Sequence, residues 1–152
     1  MHDSCELILV RLGGCRYALP LSGVGEVGRP PGLTRVPGLP VWVAGVANWR
    51  GRVLAVLDLR SLLGGPPVEL DRRGRVLVLS AGGLRAGLLV ESVLGTVPHD
   101  PAHVEPVLAS LQSGAAGLLA GQLTDAEGPC GLLDLDAVFA LSGVLPRARR
   151  AG

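Results

Sequence analysis

The feature that most restricts the fold of this chain is a layout that occurs twice. The stretch LILVRLGGCRYALPLSGVGEV begins at Leu7, and VLVLSAGGLRAGLLVESVLGTV begins at Val76. In each, an apolar run enters a Gly-Gly turn with an arginine two residues on: Gly13, Gly14 and Arg16, then Gly82, Gly83 and Arg85. A Ser-x-Val or Ser-Val step follows. Each unit closes on a Leu-Asp-Leu element leading into a helical pattern, at Leu57-Asp58-Leu59 and at Leu133-Asp134-Leu135. The chain reads as a duplicated module.

Two-residue Gly-Gly connections imply antiparallel hairpins, because parallel neighbours need long crossovers and no helix of that size fits between these runs. The first set of strands is expected at Glu6 to Leu12, Arg16 to Leu21, Val24 to Gly28, Val43 to Asn48 and Arg52 to Asp58. The second is expected at Arg75 to Leu79, Leu84 to Val90, Val93 to Val97, Gly117 to Leu123 and Pro129 to Leu133. Five short twisted strands per module favour small barrels. Runs such as Val53-Leu54-Ala55-Val56-Leu57 are apolar at every position, so the outer faces must be buried too, in part by packing one barrel on the other. The polar stretch after Gly64-Gly65-Pro66-Pro67 separates the modules, and PRARRAG ends the chain as a basic tail, 146–152.

Composition removes several classes of function. At 152 residues the chain can bury roughly 70% of its unfolded surface without a disulfide framework. All 14 basic residues are arginine and 13 residues are acidic, so a net charge of +1 provides no global field for nucleic acid or an anionic membrane. Cys5, Cys15 and Cys130 share no pairing motif and read as reduced, buried thiols. The least charged stretch, Pro106 to Thr124, is broken by Pro106, Gln112, Gly114, Gly117, Gly121 and Gln122, unlike a spanning helix of about 20 apolar residues. The N-terminus has acidic residues where an export signal has basic ones.

Catalytic signals are missing as well. Asp58 and Asp134 stand where strand gives way to helix and are expected as N-caps. Asp136 follows the second. His99, Asp100, His103 and Glu105 have a spacing that suits a metal, but Asp100 as cap and Pro101 at the first helical position account for the same residues. There is no Gly-x-Ser-x-Gly elbow, and a chain without lysine has no Walker-type phosphate loop. No cofactor, metal or catalytic residue is assigned. A small-molecule pocket between the barrels is a minor alternative.

The informative constellation is Asn48-Trp49-Arg50-Gly51 between two apolar strands. A tight turn requires the Asn and Gly; it does not require Trp and Arg, which are enriched at interface hot spots. This segment, with LGGCRYALPLSGVGEV, the run from Val36 to Gly64, RVLVLSAGGLRAGLLVESVLGTV and GLLDLDAVFAL, resembles the CheW family of chemotaxis adaptors. Gly-Val-x-Asn-x-Arg-Gly followed by a strand and Asp-Leu-Arg is the specific part. Trp49 and Ala55 depart from the usual aliphatic residue and proline.

The resemblance implies an all-β fold of two five-stranded SH3-like barrels with short helices, enclosing a hydrophobic groove. It implies one CheW-like domain over 4–145, with subdomains near 6–64 and 74–134 and a closing helix near 134–142. It further implies a non-catalytic cytoplasmic adaptor that couples the cytoplasmic hairpin tip of methyl-accepting chemoreceptors to the regulatory domain of a CheA-type histidine kinase. Such a protein is recruited to membrane-bound arrays without entering the membrane. The alternative is a CheW-like regulator outside motility, as in type IV pili or development. By motif, Val24, Glu26, Gly45, Asn48, Trp49 and Arg50 are the expected protein contacts, with Val90 and Val93 as the second module's share of the groove.

Overall fold

In the computed structural model, residues 6–107 and 117–142 are described. Cys5, residues 108–116 and the C-terminal basic residues lie outside them. Ten strands form: β1 (Glu6–Leu12), β2 (Cys15–Pro20), β3 (Val24–Gly28), β4 (Val43–Trp49), β5 (Arg52–Asp58), β6 (Arg75–Ala81), β7 (Leu84–Val90), β8 (Ser92–Pro98), β9 (Leu119–Asp125) and β10 (Gly128–Leu133). Two short helices follow β5 and β10, α1 (Leu59–Leu62) and α2 (Leu135–Ser142). Asp58 and Asp134 cap them, accepting from Ser61 N at 3.0 Å and from Ala137 N at 3.2 Å. Asp100 caps only a single 3-10 turn, Pro101–His103.

The strands form two five-stranded sheets, in the orders β8-β1-β2-β10-β9 and β3-β6-β7-β5-β4. The sheets therefore cut across the sequence division at 6–64 and 74–134: each takes two hairpin strands from one repeat and three strands from the other. Replacing every strand by its counterpart in the other repeat turns one order into the other. The duplication is thus real, and it is realised by reciprocal exchange.

Exchange also creates two parallel pairs, β2 with β10 and β5 with β7, where antiparallel pairing throughout was expected. That expectation came from the hairpin turns, which govern consecutive strands only. Nor do the barrels close by hydrogen bonding, because no ladder among the described residues joins β8 to β9 or β3 to β4. All four edge strands carry an extra residue: Gly25, Ala44, Leu94 and Ala120. Bulges sharpen twist and blunt an edge against foreign strands.

Packing explains the uniformly apolar strands. The largest core lies between the sheets and contains Ile8, Val10, Leu57, Leu77, Leu79, Leu88, Val90 and Phe139. Each sheet also curls around a smaller core, one with Leu7, Ala18, Cys130 and Leu132, the other with Ala47, Trp49, Leu54, Val56, Val76, Val78 and Leu89. Successive residues of β6, Val76 to Leu79, alternate between the curl and the inter-sheet core, so both faces are dry. Cys130 is buried as expected, but Cys15, directly after the Gly13-Gly14 turn of its hairpin, is exposed.

Candidate functional site

The hairpin joining β4 to β5 places its two central residues, Arg50 and Gly51, at φ 53° and 83°. This is the primed turn whose twist suits a two-residue connection. Arg50 is the one non-glycine residue with positive φ among the described residues. The Oδ1 of Asn48 accepts from Gly51 N at 2.8 Å and holds the turn.

Glu26 reaches this turn from β3, at the opposite edge of the same sheet. Its Oε1 accepts from Arg50 Nε at 2.7 Å and from Trp49 Nε1 at 2.8 Å. The Arg50 guanidinium also lies 5.7 Å from the Trp49 ring centre, within cation–π range. Hydrogen bonds from Arg50, and next from Trp49, hold the Glu26 carboxyl below its usual range. Trp49 packs over Gly28, where a Cβ would stand 2.7 Å from its Cη2. The two free edges of this sheet are therefore drawn together by side chains rather than by a ladder. Arg50 remains 72% exposed and Glu26 35%, so the pair presents charge to solvent while fixed from below.

Other expected contact residues fall elsewhere. Trp49 is only 9% exposed and belongs to the core of its sheet, leaving little of it for a partner. Val90 is wholly buried between the sheets and offers no surface. Val24 and Val93 are half-buried against that same core. Gly45 faces inward: a Cβ there would meet the Thr34 carbonyl oxygen at 2.7 Å, so its missing side chain admits a neighbouring segment. What the sequence reading missed is Val53, paired with Asn48 across the hairpin and 81% exposed; all-apolar strands conceal which residue escapes burial.

The second repeat also contains a hairpin equivalent to the Asn-Trp-Arg-Gly turn. It is the turn from Asp125 to Gly128. Register reveals it; residue type does not, since it carries Asp125 and Ala126 in place of tryptophan and arginine, and Glu127 in place of the glycine. Asp125 accepts from the buried Arg16 at 2.6 and 3.0 Å, which ties β2 to the far hairpin. The histidine cluster is dispersed: His103 Nδ1 lies 3.6 Å from Asp100, Glu105 accepts from Thr124, and His99 faces a cleft near α2. Among the described residues no group of three or more His, Cys, Asp or Glu is arranged to hold a metal, and no helix is long and apolar enough to cross a membrane.

A family model described as a CheW-like domain matches residues 6–142. Protein PilI of Pseudomonas aeruginosa is 40% identical over 107 residues, which cover 67% of this chain and 60% of that protein, so the chain spans less than two thirds of this relative's length. A probable chemotaxis protein CheW of Rhizobium etli is 31% identical over 138 residues, covering 88% of this chain and 86% of the relative. The crystal structure of the scaffolding protein TtCheW from Thermoanaerobacter tengcongensis has the same fold, with a TM-score of 0.78 at 23% identity over 89% of this chain and 87% of that one.

Proposed function

The chain belongs to the CheW-like domain family, and on that footing we propose that it is a non-catalytic adaptor coupling chemoreceptors to a CheA-type histidine kinase. The family match across residues 6–142 carries this reading. It works in the cytoplasm, recruited to receptor arrays at the membrane, and its contacts are the receptor's cytoplasmic hairpin tip and the kinase's regulatory domain. The geometry supports a docking role: Arg50 projects at a hairpin tip, is fixed by Glu26, and stands beside the exposed Val53. A fixed charge beside an apolar residue gives a partner register and desolvation together. Asp58 and Asp134 are occupied as helix caps, which suits a protein without chemistry of its own.

Reversing Arg50 to Glu tests the reading. Receptor tip and kinase regulatory domain from the same genome should no longer co-purify, while the circular dichroism spectrum stays unchanged; undiminished capture of both would sink it. The second reading, a regulator outside motility, is favoured by the relative bearing the name PilI at 40% identity. Deleting the gene separates the two: loss of swimming chemotaxis supports the first, loss of surface movement alone the second.

A further inference from the structure

Reciprocal exchange produces two symmetry-related seams where the sheets meet, and they are not alike. Matching Gly13 with Gly82, and the capping Asp58 with Asp134, pairs Arg60 with Asp136 and Glu91 with Ser22. In the first seam Glu91 accepts from Gly13 N at 2.7 Å and from Arg60 Nη1 at 3.1 Å, an ion pair with both side chains largely buried. In the second seam the long carboxylate is replaced by Ser22 and the guanidinium by Asp136. A cleft of about 430 Å³ opens there, lined by Ser22, Ser80, His99, Asp134, Leu135 and Asp136 among others. The Nδ1 of His99 is buried at this cleft without a hydrogen-bond partner.

We propose that this open seam receives an arginine side chain of a partner protein, whose guanidinium takes the part that Arg60 plays in the closed seam. The inference rests on the adaptor reading for the partner's class. Its chemistry comes from the lining: the Asp136 carboxylate, the Asp134 oxygen not engaged by the cap bond to Ala137, two hydroxyls and, in the tautomer protonated at Nε2, the His99 Nδ1 are hydrogen-bond acceptors, and no basic side chain other than His99 lines the cleft among the described residues. A planar guanidinium with five N–H donors suits such a set, and a carboxylate binds it in two-point fashion. An anionic or purely apolar occupant would leave those acceptors unpaired.

The probe is acetyl-arginine amide, titrated into the full-length protein and followed by amide NMR shifts, with acetyl-citrulline amide as the neutral control. Saturable shifts at Ser22, Ser80, His99 and residues 134–136 are expected for arginine alone. Asp136→Asn should weaken binding at least tenfold and reduce capture of the receptor tip or kinase domain to a similar degree. No shift at these residues, an equal response to citrulline, or unchanged capture by Asp136→Asn overturns the proposal. Ser22→Glu with Asp136→Arg rebuilds the closed seam's pair; it should abolish the arginine response and raise the melting temperature, and a retained response counts against the site. Changing Arg147, Arg149 and Arg150 to Gln should leave the affinity unchanged. Binding that appears only in that variant would give the cleft to the chain's own tail and overturn the assignment to a partner. The titration uses no receptor or kinase, so its failure is separable from failure of the adaptor reading.

Discussion

Arg50 carries two opposed energies. A non-glycine residue in the left-handed region costs about 1–2 kcal/mol, and its bond to Glu26 offsets that strain only while the carboxylate is charged. Arg50→Gly should therefore leave the melting temperature nearly unchanged, since strain and ion pair vanish together, yet lose partner capture as Arg50→Glu does. A large destabilisation by Arg50→Gly, measured by thermal unfolding, would show that the pair does more for stability than the strain costs. The cysteines divide by burial. Burial pushes the Cys130 thiol up to about 11, leaving on the order of one in ten thousand molecules as thiolate at neutral pH. In a Cys5→Ser background, native protein should be alkylated quickly at the exposed Cys15 and not at Cys130 until it is unfolded, as read by peptide mass. The turn residues and the capping aspartates were legible from the chain because their roles are local. Trp49 was not: its indole is committed to a core and to a carboxylate 23 residues away, and no local pattern distinguishes that from display on a surface.

Among the elements, the two capped helices separate a local contribution from a tertiary one. Asp134→Ala removes one cap bond and should cost about 1 kcal/mol. Asp58 is buried and also accepts from Val68 N at 2.9 Å, pinning the connection between repeats to β5. Asp58→Ala should accordingly cost more than its counterpart in denaturant titration; equal losses would mean that the Val68 contact contributes nothing. The β9–β10 hairpin depends on charge in another way. Hydrogen bonds from Arg16 hold the Asp125 carboxyl below its ordinary value. A carboxyl lowered by folding adds stability above its unfolded value near pH 4 and withdraws it as pH falls further. Melting temperature should drop on acidification below about pH 4, and less steeply in Asp125→Asn. Strand positions were readable to within about two residues because apolar runs and glycine turns mark them. The four bulges were not, because an extra residue shows only against a partner strand.

Taken whole, the molecule cannot be divided where its sequence divides. A cut in the connection near Gly64-Gly65 leaves each fragment with strands of both sheets, and neither fragment has one sheet complete. Fragments 1–66 and 67–152 should each be unfolded alone and regain the native spectrum when mixed, as circular dichroism would show; an independently folded fragment would contradict the exchange. The duplication itself, the ten strands and two capped helices among the described residues, and the absence of a catalytic motif from the sequence all follow from the order of residues. They rest on short-range physics: turn geometry, capping and the period of apolar positions. How the strands are shared depends on which apolar faces meet once the chain is compact. Each strand of β1 and β6 has two apolar faces, and either could in principle be covered from within its own repeat. That choice makes the parallel pairs and removes Val90 from the surface. It also leaves one of two equivalent seams open, through Ser22 and Asp136, a difference visible only once distant residues stand in symmetry-related places.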